Sequence, residues 1–336
     1  MSKEMKKAVG EVRRCFKNAP LSRGDLLLLA CSGGRDSLAL ALCSQICAKS
    51  MGLSLCAVVV DHGLQEGSGQ VASEAAAKLS CMGIEAKIAK ISLDPKEEEE
   101  NGEEAAAREA RHSAIRRQAR AVGARAVLLA HTLTDQAESV LLDACKTPSS
   151  ASWIGMEEEC EREGVLYLRP LLKISRNETT AICREAGVSW WDDPTNGTPG
   201  EAGDWLPRRS RIRSLVLPDL DKISGGGAEA HLAAFASMHR EDEEFLDSLA
   251  KKALEPFPFS LPFSIPLSLL RSLPRPVERR CCRIILKGFL DRRAAVEKQV
   301  EAFMGLVEKG SGQINLASSL NLCAQKGEAI INLCNN

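Results

Sequence analysis

The segment Ser32-Gly33-Gly34-Arg35-Asp36-Ser37 lies between an apolar run, Leu26 to Ala30, and an apolar helix expected from Asp36 onward. Two glycines let a backbone approach a ligand closely, and the free N–H groups of a helix start attract an anion. Ser32 and Ser37 add hydroxyl donors. The segment lacks the lysine of a Walker A loop and the third glycine of G-x-G-x-x-G, which argues against a P-loop NTPase or a dinucleotide site. A carboxylate beside a phosphate is repulsive unless a divalent cation lies between them, so Asp36 points to pyrophosphate held together with Mg²⁺. Further along, Asp135 and Glu138 are three residues apart and would share one helix face. That pair is either charge suited to a helix N-terminus or acid–base machinery.

These residues need elements to position them. LLLLA (Leu26 to Ala30), LSLCAVVVD (ending at Asp61), IEAKIAKISL and RAVLLAH read as strands. Helices are expected at the N-terminus, after Asp36, over Val71 to Met82, over Glu103 to Val122 and over Thr134 to Ala144. Near-continuous apolar strands alternating with helices imply a parallel sheet covered on both faces, an α/β Rossmann-like domain. Lys146 to Glu163 reads as an irregular link, and Ser175-Arg-Asn-Glu178 is a capping box opening a helix through Glu185. A further helix is expected from Arg208 to Leu217, with a hinge at Ser224-Gly-Gly-Gly227. Beyond it come a long helix (Glu229 to Leu254), a proline-rich stretch, helices near Val277–Leu290 and Ala294–Lys309, and two alternating runs forming a closing β-hairpin. The domain expectation is 1–222 for nucleotide binding and catalysis and 228–336 for a smaller, mainly helical domain.

The SGG-x-DS pattern after a first strand resembles the PP-loop of ATP pyrophosphatases, which split ATP into AMP and pyrophosphate. Alone it leaves GMP, asparagine and NAD synthetases and tRNA thiolases open. VVVDHGLQ, EEAAAREARHSAI, AHTLTDQAESVLL, LRPLLKISRNE, WWDDPTN and RRSRIRSLVLPDL follow in that order. This series is similar to the tRNA(Ile)-lysidine synthase family over residues 22–220, and the segment with SLPRPVERRCCRIIL resembles that family's C-terminal domain. The chain departs from the pattern at His131-Thr132 in place of His-His, at Thr134-Asp135 in place of Asp-Asp, and at Ser210 in place of Asn.

The resemblance implies a two-step reaction. ATP adenylates the C2 carbonyl oxygen of the wobble cytosine in a CAU anticodon, and the ε-amine of free L-lysine then displaces AMP. It implies ATP against Ser32, Gly33, Gly34, Arg35, Asp36 and Ser37, with Mg²⁺ on Asp36 and Asp135. Asp135 or Glu138 would fix the lysine ammonium, with its ordinary pKa of about 10.4, and help remove its proton. Arg111 either takes the lysine carboxylate or is a surface residue. His131 either meets the nucleotide or is a hydrogen-bonded structural histidine, and Asp61-His62 falls where adenine should lie. Arg209, Arg211 and Arg213 bind ATP phosphate or tRNA backbone, and Arg211 is counted with the nucleotide set. Asp193 opens a turn that aims this segment.

Composition bounds the rest. The 336 residues carry a formal net charge of -1, so tRNA binding must come from local patches: Arg108–Arg125, Arg208–Arg213 and Arg275–Arg283. Arg275, Arg279, Arg280 and Arg283 are expected to grip tRNA, with Trp190, Trp191 and Trp205 as stacking platforms or packing residues. The acidic run Asp94 to Glu104 reads as a solvated loop. No apolar run reaches membrane-spanning length, which implies a cytoplasmic protein; a homodimer follows from the resemblance. The 13 cysteines include no C-x-x-C. Most, among them Cys31, Cys43, Cys47, Cys56, Cys81, Cys183, Cys281 and Cys282, are expected to be small buried hydrophobes. The lack of a cysteine pair weighs against thiolation. A catalytically silent tRNA-binding homologue is the other alternative, prompted by the altered HTLTD segment.

Overall fold

The structure, a computed structural model, describes residues 1–61, 63, 67–91, 102–146, 153–193, 206–290, 296–316 and 320–333. The expectations for His62, Trp205, the acidic run over 94–101, the turn over 194–196 and a helix start at Ala294 lie outside those residues. Two compact units are present. One holds the described residues from Met1 to Phe235 apart from Trp153 and Ile154, and the other holds those two and Ala236 onward. The divide falls within a long helix, beyond the Gly225–Gly227 run at which the sequence places it.

The first unit is built on a six-stranded sheet in the order β3-β2-β1-β4-β6-β5. The strands are β1 (Leu26–Cys31), β2 (Ser54–Asp61), β3 (Glu85–Lys90), β4 (Ala126–Leu128), β5 (Glu159–Arg162) and β6 (Val165–Leu168). All neighbours are parallel except β5, which runs antiparallel to β6. The region expected to be an irregular link therefore holds an edge strand. Its sequence, ECER, lacks the apolar character of a buried strand because only β6 flanks it.

Side-chain alternation on β1 builds two cores. Leu27 and Leu29 face α1 (Lys3–Asn18), α2 (Arg35–Met51) and α3 (Ser68–Cys81), whereas Leu28 joins Val58, Val127 and Tyr167 against Ile115 and Ala119 of α4 (Glu103–Val122). Cys15, Cys31, Cys43, Cys47 and Cys183 fill the first core, and burial pushes the Cys43 and Cys183 thiols up to about 12. They are inert packing residues, as expected. Cys81 departs from that expectation and is exposed.

The chain runs outward from β1 to β2 and β3, then returns to place β4 on the other side of β1. That reversal opens a crevice at the carboxyl ends of β1 and β4, the place where open α/β sheets gather their ligands. Next come α5 (Leu133–Lys146) and α6 (Arg176–Glu185), the latter opened by the expected reciprocal capping box of Ser175 and Glu178. Then α7 (Arg208–Arg211) runs through a π-helical turn (Ile212–Val216) into α8 (Leu217–Ser224), and α9 (Ala228–Leu254) begins.

The second unit exceeds the expected hairpin. Strands β7 (Phe263–Pro266), β10 (Glu328–Leu333), β9 (Leu320–Gln325) and β8 (Gly312–Asn315) form a four-stranded antiparallel sheet in that order. Phe263, Ile265, Leu322 and Ile331 pack on Cys281, Cys282 and Ile285 of α11 (Arg275–Phe289) and on Phe303 and Val307 of α12 (Val296–Lys309); α10 (Leu267–Ser272) adds Leu270.

The arginines expected to grip tRNA have carboxylate partners here. Arg280 is buried, hydrogen-bonded to Glu243 and 3.2 Å from Asp247, and Arg283 donates to Glu297 at 2.5 and 3.1 Å. Arg279 pairs with Glu301, and Arg275 with Glu308 at 2.7 Å. Arg280 and Arg283 are thus framework residues of this unit. Replacing Arg280 with Met leaves Glu243 without its guanidinium and is expected to lower unfolding free energy by about 3 kcal/mol, read from urea denaturation.

Candidate active site

The loop between β1 and α2 is held by its own hydroxyls. Ser37 Oγ donates to the Gly34 carbonyl at 2.8 Å, Gly34 N–H donates to Ser32 Oγ at 3.3 Å, and Ser32 N–H donates to Ser37 Oγ at 3.3 Å. Gly33 has φ of 78°, and a Cβ there would sit 3.0 Å from the Ala75 Cβ, so only glycine fits. Gly34 caps α2 with no side-chain hydrogen bond, leaving the first-turn N–H groups to a ligand. Trp191 N–H donates to the Gly33 carbonyl at 3.1 Å and so supports this loop, and Trp190 packs against the first core. Arg35 turns away to Thr180 at 3.2 Å and Asp192 at 3.4 Å.

Asp36, in the first turn of α2, accepts a hydrogen bond from Thr179 Oγ1 at 2.5 Å and lies 3.2 Å from Arg176 Nε. Burial raises its pKa despite the opposing pull of Arg176 and Thr179. Asp135 opens α5 in a reciprocal cap. Its Oδ2 accepts from Thr132 N–H and Thr132 Oγ1, both at 2.7 Å, while Asp135 N–H donates to Thr132 Oγ1 at 3.4 Å. Burial pushes Asp135 up, but the two Thr132 bonds and the Arg213 guanidinium hold it below the usual carboxylate range.

The departure at Thr132 is therefore a working cap that fixes Asp135. Thr132→Val is expected to cost about 1 kcal/mol of stability, read from thermal unfolding. Loss of Asp135 alignment should also slow turnover about tenfold or more, read from product formation at saturating substrates.

Glu138 is fully buried on the same face of α5. Its Oε1 accepts from Arg213 Nε at 2.6 Å, and its Oε2 has no hydrogen-bond partner among the described residues. Burial raises its pKa to about 7, with Arg213 opposing and Asp135 reinforcing. Arg213 also lies 3.9 Å from Asp135. Asp36, Asp135, Glu138, Arg176 and Arg213 thus form one electrostatically coupled cluster at the ends of β1 and β4.

The other expected residues divide. Arg213 turns inward to the carboxylates, Arg209 donates to Ser139 Oγ at 3.2 Å, and Arg211, two residues before Arg213, is exposed. Arg111 is exposed on α4. His131 follows β4 with a buried Nδ1 that lacks a hydrogen-bond partner among the described residues, and burial drops its pKa to about 4, leaving a neutral imidazole. Asp61 accepts from Ser68 Oγ at 2.7 Å and Gly63 N–H at 3.2 Å, which ties β2 to the start of α3. Arg176, Thr179 and Glu229 have no role in the sequence reading. Arg176 did carry a signal, standing inside LRPLLKISRNE directly after the capping serine.

Residues 4–220 match the family model described as a PP-loop domain. The tRNA(Ile)-lysidine synthase of Bifidobacterium longum subsp. infantis is 43% identical over 272 residues, covering 75% of this chain and 70% of that protein. The chain belongs to the tRNA(Ile)-lysidine synthase family. The synthase of Thermobifida fusca is 39% identical over 242 residues, covering 72% of this chain and 70% of its own. Among solved structures, the tRNA thiolase NcsA from Methanococcus maripaludis superposes with a TM-score of 0.57 at 18% identity, over 70% of this chain and 79% of that one. That likeness is one of fold.

A lysidine synthase of this class uses ATP, and the oxygens present fit a Mg²⁺ ion beside its phosphates. Among the described residues, Asp135 Oδ1 lies 3.9 Å from Arg213, Asp36 Oδ2 faces Arg176 without hydrogen-bond geometry, and Glu138 Oε2 is a buried oxygen with no hydrogen-bond partner. No cluster of three or more His, Cys, Asp or Glu among the described residues could hold a metal on its own.

Proposed function

We propose that this chain joins the ε-amine of free lysine to C2 of the wobble cytidine in the CAU anticodon of tRNA(Ile), converting ATP to AMP and pyrophosphate. The observation that carries this reading is the cluster of Asp36, Asp135 and Glu138 beside a glycine-rich anion loop, in a chain 43% identical to a lysidine synthase. First, the C2 carbonyl oxygen attacks the α-phosphorus of ATP and pyrophosphate leaves. The lysine nitrogen then bonds to C2, and the C2–O bond breaks to release AMP.

The loop N–H groups at Gly33 and Gly34 receive phosphate oxygens. Asp36 and Asp135 would hold Mg²⁺, which neutralises charge on the triphosphate. Glu138, with a pKa of about 7, is suited to orient the lysine ammonium and accept its proton. Arg111 is proposed for the lysine carboxylate. The second unit is proposed to bind tRNA through groups other than the carboxylate-paired Arg280 and Arg283.

No helix among the described residues is long and apolar enough to cross a membrane. A cytoplasmic location and a homodimer complete the proposal, the latter to be checked by sedimentation.

The test is incorporation of radiolabelled lysine into transcripts with ATP and Mg²⁺. Label on a CAU-anticodon tRNA(Ile) and none on tRNA(Met) is the expected result. ATP cleavage to AMP with no lysine attached would retain the nucleotide chemistry and overturn lysidine formation.

A further inference from the structure

The start of α9 brings a fourth carboxylate to the cluster. Gly225, Gly226 and Gly227 have φ of 75°, 107° and 81°, a left-handed path that strongly favours glycine, and Asp221 Oδ1 accepts from Ala228 N–H at 3.0 Å. This geometry fixes Glu229 in the first turn of α9, where Thr134 Oγ1 donates to its Oε2 at 3.0 Å. Thr134 is itself buried, at 3% exposure, directly before Asp135. Glu229 shares the field of Asp135 and Arg176.

The charges around this point do not balance. Asp36 pairs with Arg176, while Glu138 and Asp135 share Arg213. Glu229 has no cationic side chain within ion-pair distance among the described residues, and Glu138 Oε2 is buried without a hydrogen-bond partner. Four carboxylates face two guanidiniums, and one buried oxygen still lacks a donor. A ligand that brings ammonium groups would complete the arrangement.

Lysine has two ammonium groups with different fates. The ε-nitrogen must lose a proton to attack C2, whereas the α-ammonium stays charged throughout and needs a lasting anionic partner. Glu138 is occupied with the first, and Asp135 is proposed for Mg²⁺. We propose that Glu229 is a specificity-determining residue whose carboxylate, steadied by Thr134, binds the α-ammonium of lysine. The inference rests on the lysine-ligating function proposed above.

The test is steady-state lysine attachment to the CAU transcript at saturating ATP and Mg²⁺. Glu229→Gln retains an acceptor for Thr134 and loses the charge. It is expected to raise KM for lysine about tenfold or more, with kcat at saturating lysine changed by less than about threefold. Thr134→Val removes the supporting bond but keeps the carboxylate, and should raise KM by less. Competition by 6-aminohexanoate, which lacks the α-ammonium, should weaken less in Glu229→Gln than lysine binding does.

An unchanged KM for lysine, a fall in kcat alone, an equal effect of Thr134→Val, or a shift in the Mg²⁺ requirement instead would each overturn the assignment. If the wild-type chain forms AMP but attaches no lysine, the underlying reading falls and this inference with it. If the wild type attaches lysine and Glu229→Gln matches it, only the Glu229 assignment falls.

Discussion

Replacing Asp36 with asparagine is expected to lower lysine attachment by about a thousandfold or more, with tRNA-dependent AMP formation lost in parallel. Asparagine has nearly the same shape and can still accept the Thr179 hydroxyl, so the change is mainly one of charge. Two consequences follow from the geometry. The oxygen facing Arg176 can no longer neutralise that guanidinium, and one of the two carboxylates proposed for Mg²⁺ disappears. Loss at the adenylation step, rather than only at lysine transfer, is the diagnostic feature, because Asp36 stands at the phosphate loop and Glu138 does not.

The same substitution should cost a few kcal/mol of stability, since Arg176 is left largely buried without its counter-charge. Urea denaturation run beside the assay separates the two effects. A variant that is folded yet forms no AMP assigns Asp36 to the chemistry, and a folded variant with normal AMP formation removes it.

How far the sequence disclosed this site depended on how local each interaction is. The apolar run of β1, the glycines after it and the helix following them are adjacent in the chain, so the loop could be read directly. Asp135 and Glu138 were legible from their spacing on one turn of helix. Their partners were not, because Arg176 and Arg213 reach the site only after the sheet has brought α6 and the π-helical turn back to β1 and β4. Thr132 illustrates a different limit. As a departure from the family pattern it cast doubt on the segment, yet its hydroxyl and N–H supply both bonds that orient Asp135.

The fold shows the same division. Strands buried on both faces announce themselves by continuous apolar residues, but β5 (ECER) lies at an edge and β7 (FSIP) stands among Pro258, Pro262 and Pro266. Neither carries the hydrophobic signal of a central strand. The basic stretch on α11 shows the converse. Arginines are conspicuous in sequence, whereas the distant Glu243, Glu297, Glu301 and Glu308 that neutralise them are recognisable only in the folded unit.

The pH dependence of lysine transfer should report Glu138. Burial places its pKa at about 7, opposed by Arg213 from the π-helical turn and by Arg176 from α6, and reinforced by Asp135 from its own helix. If its ionised form orients lysine and receives a proton, its titration alone should contribute a rise of about tenfold in the transfer rate between pH 6 and pH 8, with an inflection near 7. Deprotonation of free lysine also favours higher pH, but its ordinary pKa of about 10.4 produces a steady climb with no inflection in that range.

Glu138→Gln should lower the rate by about a hundredfold or more and abolish the inflection, leaving only the climb. The same titration has the opposite sign for stability. A carboxyl whose folded pKa exceeds its unfolded value favours the folded state below about pH 4.5, and that contribution is lost as the pH rises through about 7, amounting to about 3 kcal/mol. The stability difference between wild type and Glu138→Gln should therefore shift against the wild type from pH 5 to pH 8, while wild-type activity rises over the same interval. Chemical denaturation at several pH values gives the first curve and single-turnover lysine transfer the second. A stability difference that is flat with pH, or an inflection retained in the glutamine variant, would assign the titration to another group. Opposed slopes from one residue would instead mean that Glu138 is kept buried, at a cost in stability, because the chemistry needs a base that ionises near neutral pH.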